Sequence, residues 1–171
     1  MTTITKINQV DIETVGALVA SIQDDPGKAD TTWKAEARWQ KGFRVDTTSR
    51  EFTPVAYDEP PALGGTNLAP NPVEQILGAF GACLAIGYAA NASTAGITID
   101  DLRIELEGDL NLHTFLGLDD GHAGFSQVRA TVHLQSGADP EAIAALHQKV
   151  VTTSPVGHTL TGTVAVTVDL A

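Results

Sequence analysis

Between Ile76 and Ala90 the chain reads ILGAFGACLAIGYAA, fifteen consecutive residues without a charge. A stretch this apolar has to be covered, and it falls short of the roughly 20 residues needed to cross a hydrocarbon core. The expectation is a buried core helix, whose Gly and Ala residues let other backbones approach closely. Its start is encoded just upstream. Asn71-Pro72-Val73-Glu74 places Asn at the N-cap, Pro at the first helical position and Glu at N3. The Asn and Glu side chains can then satisfy backbone N–H groups that a helix start leaves orphaned. The predicted helix runs from Pro72 to about Thr94 and closes at Gly96, which can take the left-handed cap conformation.

The segments on either side differ in period. Ile12, Val15, Leu18, Val19 and Ile22 recur at helical spacing and stop at Asp24-Asp25-Pro26-Gly27, predicting an amphipathic helix over about 11–23 whose apolar face needs a partner. From Thr32 strict alternation sets in, with Trp33, Ala35, Ala37 and Trp39 on one side, as in a half-buried strand. Phe43–Val45 and Glu51–Ala56 continue a meander with Asp46–Arg50 as its turn, and Tyr57–Pro70, with its prolines and glycines, reads as a constrained loop. Beyond the long helix, 102–110 and 128–134 alternate as two strands. Asp139-Pro140-Glu141 opens a helix with Ile143, Leu146 and Val150 inward, and Val164, Val166, Val168 and Leu170 form a last strand. Strands that come in runs predict an α+β fold with an antiparallel sheet, in one domain spanning 1–171 with its core at about 32–170.

Charge narrows the partners. Ten Lys+Arg against twenty-one Asp+Glu give a net charge of −11, which repels a phosphate backbone or an anionic membrane surface, so neither nucleic acid nor membrane is expected as a partner. The one Cys, Cys83, excludes an intrachain disulfide and fits a reducing compartment. Met1–Val10 has no basic start, apolar run or cleavage site of a secretory signal. Cytoplasm is the resulting expectation. The five His residues form no spaced ligand pair, so no metal site is expected.

Few residues can carry chemistry. Cys83 lies mid-helix among small and apolar neighbours, where burial makes a thiol an inert core residue unless a cation stands nearby. Arg38 and Arg44, on the strands before the helix, are the side chains that could stabilise a thiolate. Glu74 belongs to the capping box. Nine residues before Cys83, at about 100° each, it falls on the opposite side of an ideal helix. Ser154 and His158 lie four apart, but no Gly-x-Ser-x-Gly turn surrounds them, and Pro155 and Gly157 argue against a helix there.

Together, Asp58-Glu59-Pro60, Gly64-Gly65-Thr66-Asn67, Asn71-Pro72-Val73-Glu74-Gln75-Ile76-Leu77 and Gly81-Ala82-Cys83-Leu84, then Thr153-Ser154-Pro155-Val156 near the end, give a chain that resembles the OsmC/Ohr family over roughly Thr32–Leu170. The resemblance implies an antiparallel sheet around a long central helix, with two copies intertwined as a homodimer. It also implies reduction of organic hydroperoxides by a Cys on this helix, with a resolving Cys in the second motif and an Arg and a Glu that activate the thiol. No metal or organic cofactor is implied; an external thiol returns the electrons. Carried onto this chain, the catalytic residues are Cys83, Arg44 and Glu74. The resolving position falls on Ser154, and Glu74 stands nine residues before the Cys where the peroxidases have ten. Two functions follow from this pattern. One is a one-Cys peroxidase acting on a small apolar hydroperoxide, with Phe80, Leu84, Trp33 or Trp39 lining the site. The other is a non-catalytic, stress-associated homodimer that binds an apolar small molecule at its interface.

Overall fold

The computed structural model describes residues 6–170; Met1–Thr5, the start of the segment read above as lacking a signal, lies outside the described residues. The described residues form two compact units, one of residues 6–12 and 77–170 and one of residues 13–76.

In the unit of residues 13–76, α1 (Ile12–Asp24) follows the helical spacing of its apolar residues, yet Ile12, Val15, Leu18 and Val19 are all exposed. Strands β1 (Glu36–Lys41), β2 (Arg44–Thr48) and β3 (Val55–Tyr57) form an antiparallel meander in the order β1-β2-β3. The turn lies later than expected. Asp46–Thr48 stay in β2, paired with β1 and β3, and residues 49–54 make the connection. The expected half-buried strand from Thr32 is corrected twice: it begins only at Glu36, and every residue of β1 is exposed. Alternation puts Trp39 and Ala37 on one face, and both are exposed.

After β3 the loop is organised by one carboxylate. Asp58 is 2% exposed. Its oxygens accept hydrogen bonds from the Glu59 N–H at 2.8 Å, the Thr66 N–H at 3.2 Å, the Leu68 N–H at 3.1 Å and the Thr66 hydroxyl at 2.5 Å. These donors, the Thr66 hydroxyl foremost, hold its pKa down to about 2 from the ordinary 3.8 because each favours the charged form. Gly65 is required by contact, since a Cβ there would lie 1.8 Å from the Glu59 carbonyl oxygen.

Helix α2 (Pro72–Thr94) starts at the predicted capping box: the Glu74 N–H donates to Asn71 Oδ1 at 2.9 Å and the Asn71 N–H to Glu74 Oε2 at 2.8 Å. Gly96, at φ 73°, follows its end. At 23 residues, with an 18-residue window of mean hydropathy 1.4, α2 has the length and composition of a membrane span, a test that core helices also pass. Nor is it wholly buried. Gly81, Leu84, Tyr88, Ala92 and Ser93 form its buried stripe, while Ile86 is 70% exposed.

That stripe is the core of the unit of residues 77–170. Strands β4 (Asp101–Leu110) and β5 (Phe125–Gln135) pair antiparallel, with Leu102 opposite Leu134 and Ile104 opposite Val132. These four pack with Leu84, Tyr88, Ala92 and with Leu146 and Val150 of α4 (Pro140–Thr153). The other face of the pair is a charge ladder, with Arg129 against Asp109 and Glu107, and Glu105 against His133 and Arg103. Between the strands lies the one-turn helix α3 (Leu112–Phe115). At the N-terminus Asn8 locks onto the end of α2, donating to the Ile97 carbonyl at 2.9 Å and Ser93 Oγ at 3.1 Å and accepting from the Ile99 N–H at 2.9 Å.

Two expectations fail near the C-terminus. Residues 155–161 are helical, forming α5 (Pro155–Thr161), because Pro155 occupies the first helical position, where its missing N–H costs nothing. Residues 163–170 form no strand. Val164, Val166, Val168 and Leu170 are 55% to 103% exposed.

Two predictions follow from the Asp58 loop. Gly65→Ala should cost about 1–3 kcal/mol, as overpacking against backbone does, read as a lower urea midpoint. Because the pKa of Asp58 is lowered on folding, its contribution is complete above about pH 4 and is lost as the pH falls through about 2. Asp58→Asn should lower stability at neutral pH and flatten that acid limb in urea titrations; an unchanged limb would contradict this role.

Candidate functional site

Cys83 is half-buried on α2, beside buried Leu84. What faces it is set by α4. A Cβ on Gly87 would lie 3.1 Å from Val150 Cγ1, so the absence of a side chain there lets α4 come close to α2. Tyr88 Oη bonds His147 Nδ1, and burial pushes the Tyr88 hydroxyl's pKa up. Passing from Tyr88 to Gly87 to Cys83 on α2, the partners on the other side are His147, Val150 and Ser154. The numbers run in opposite directions, so the two helices are antiparallel neighbours and the end of α4 is delivered to the thiol.

There Ser154 Oγ stands 3.3 Å from Cys83 Sγ. Ser154 is 4% exposed and occupies the junction of α4 and α5, where its Oγ accepts the Gly157 N–H at 3.1 Å as the N-cap of α5. Phe80 closes in beside it, since a Cβ on Gly157 would meet Phe80 Cε2 at 3.2 Å. The site within residues 77–170 is therefore one sulfur, one hydroxyl and one aromatic ring. A half-buried thiol of this kind can act as a nucleophile toward a small electrophile or stay a packing group.

The other sequence candidates lie elsewhere. Arg44 opens β2 with Nε 3.6 Å from Asp46 Oδ1, and that Nε is buried with no hydrogen-bond partner among the described residues. Arg38 is paired with Glu36 at 2.7 Å in solvent. Glu74 is exposed and engaged in the capping box. Leu84 is buried and Phe80 packs at the core's edge, whereas Trp33 and Trp39 are 81% and 67% exposed. Ser154 and His158 form no hydrolytic pair: His158 Nε2 bonds the Thr152 carbonyl at 2.9 Å while Ser154 Oγ faces sulfur. Sequence reasoning missed the Tyr88–His147 bond and the unpartnered, buried Glu59 Oε2. Neither leaves a signal in spacing, because both depend on how the chain folds back.

The family model for OsmC-like protein matches residues 65–169. No curated protein matches the chain in sequence. Among solved structures, the OsmC-like protein from Mycoplasma pneumoniae aligns with a TM-score of 0.66 at 18% identity, covering 78% of this chain and 89% of its own. The organic hydroperoxide resistance protein OsmC from Legionella pneumophila aligns at 0.57 and 20% identity, covering 77% and 90%. An organic hydroperoxide resistance protein from Elizabethkingia anophelis gives 0.57 and 18%, covering 78% and 90%. At these identities the structural likeness speaks for the fold, and the family model spans more than half the chain. Mixed helix and antiparallel sheet, the capped helix bearing Cys83 and the second motif at Thr153–Val156 thus all fall within one pattern: this chain belongs to the OsmC-like family.

Proposed function

We propose that the chain is a one-Cys, thiol-dependent peroxidase that reduces small apolar organic hydroperoxides in the cytoplasm. The observation that carries this reading is the approach of Ser154 Oγ to Cys83 Sγ, since these are the two positions to which the family resemblance assigns the nucleophilic and the resolving thiol. In the reaction the Cys83 thiolate attacks the terminal peroxide oxygen. The S–O bond forms as the O–O bond breaks, the alkoxide leaves with a proton as the alcohol, and sulfur becomes a sulfenic acid. Ser154 cannot form a disulfide. An external thiol therefore attacks the sulfenic sulfur and expels water, and a second thiol releases Cys83 as the thiol and departs in an external disulfide. In this reading Arg44 favours the thiolate and orients the peroxide while Glu74 holds Arg44.

The functional form in this proposal is a homodimer. Val15, Leu18, Trp39, Ile86 and Val166 are exposed apolar residues, and in this proposal a second copy is the partner that supplies matching apolar surface. A second reading, a non-catalytic dimer holding an apolar small molecule, is favoured by the engagement of Glu74 in its helix cap.

The reduced protein should consume cumene hydroperoxide with a dithiol reductant, and Cys83→Ser should abolish that turnover. No turnover in either protein, with lipoyl and small dithiols both tried, selects the binding reading instead. Light scattering on a sizing column should give about twice the 17.9 kDa of the chain at micromolar concentration. A clean monomer overturns the dimer.

A further inference from the structure

We propose that two copies of this chain recognise each other through surfaces of opposite charge: the basic, aromatic β1–β2 hairpin of one copy seats on the acidic, apolar turn between β4 and β5 of the other. This rests on the reading of the chain as a homodimer and names the surfaces that select the second copy.

Charge is unevenly spread along a chain that is acidic overall. Residues 34–50 carry Lys34, Arg38, Lys41, Arg44 and Arg50 against Glu36 and Asp46, half of the ten Lys+Arg in the sequence. Between Arg103 and Arg129 stand Glu105, Glu107, Asp109, Asp119 and Asp120, with no Lys or Arg among them. Part of each excess is cancelled locally: Arg38 pairs with Glu36, Arg44 with Asp46, and Arg129 with Glu107 and Asp109. Lys34 and Lys41 on the hairpin, and Asp119 and Asp120 on the turn, are exposed and have no ion-pair partner among the described residues.

Apolar groups accompany these charges. Trp39 and Phe43 flank Lys41, and Leu112, Phe115, Leu116 and Leu118 precede Asp119; all six are exposed. The β4–β5 turn holds its apolar side chains on ordered backbone. Asn111 Oδ1 accepts from the His113 N–H at 2.9 Å, the Leu118 N–H donates to the His113 carbonyl at 2.8 Å, and Gly117 takes φ 70°. Clustered apolar side chains presented to water mark an interaction surface, and opposite charge beside them sets partner and register. A net charge of −11 otherwise drives copies apart, and a basic hairpin on an acidic turn offsets that repulsion. In a twofold dimer each copy supplies both surfaces, so the contact forms twice.

Charge reversal tests the pairing. Lys34→Glu with Lys41→Glu makes both surfaces of a copy acidic, and Asp119→Lys with Asp120→Lys makes both basic. Alone, each double variant should dimerise about tenfold or more weakly than the wild-type chain. An equimolar mixture should form heterodimers at near wild-type affinity, because both contacts then join unlike charges. Native mass spectrometry over a dilution series separates these species by mass. Added salt should weaken the wild-type dimer and strengthen the association of each variant with itself. Circular dichroism checks that the variants fold; should one not, Lys34→Gln with Lys41→Gln should still weaken the dimer and lessen its response to salt. Variants that dimerise as the wild-type chain does, or that dissociate without pairing in the mixture, overturn this proposal and leave the dimer standing. A wild-type chain that is monomeric at every concentration removes the dimer reading, and this inference with it.

Discussion

Leu84, Tyr88 and Ala92 lie on one side of a helix that carries no charge for fifteen residues, and removing that side from water is what the rest of residues 77–170 is arranged to do. The β4–β5 pair covers it with Leu102, Ile104, Val132 and Leu134, and α4 covers it with Leu146 and Val150. Burial of a large aliphatic side chain is worth about 1.5–3 kcal/mol, so five buried apolar residues and their partly buried neighbours form a small core. Every other feature of the unit depends on it. Gly87 eases the close antiparallel seating of α4, and that seating brings Ser154 to Cys83.

Period and capping made much of this legible. The Asn-Pro-x-Glu start of α2, the alternation that became β4 and β5, and the inward Leu146 and Val150 all read correctly, because each is encoded within a few residues of itself. The failures share a cause. Trp33 to Trp39 and Val164 to Leu170 alternate as half-buried strands do, but alternation states only which side chains share a face, and here the face lies in water. Residues 155–161 failed for a different reason. Pro155 and Gly157 count against a helix interior, yet at the start of one Pro is pre-set for the geometry, and Gly157 is the residue whose N–H the Ser154 cap receives.

The candidate site was legible in its parts and not in its assembly. Cys83 and Ser154 were marked by the two motifs they stand in, but they are 71 residues apart, and no local rule foretells a hydroxyl against a sulfur. Asp58 illustrates the same gap. The sequence marks 57–70 as a constrained loop, whereas the constraint itself is a carboxylate reaching eight to ten residues ahead to Thr66 and Leu68. Long-range hydrogen bonds of this kind fix where a motif residue ends up, and periodicity does not carry them.

The segment from 163 to 170 also bears on how the protein behaves as a colloid. A run with Val at every second position, outside helix and strand, is a template onto which an open sheet edge can add. What opposes such association between copies is the net charge of −11, a repulsion that reaches about 8 Å at physiological ionic strength and about 3 Å in molar salt. Shelf life in concentrated solution is thereby tied to the ionic strength of the buffer, through exposed valines outside the core.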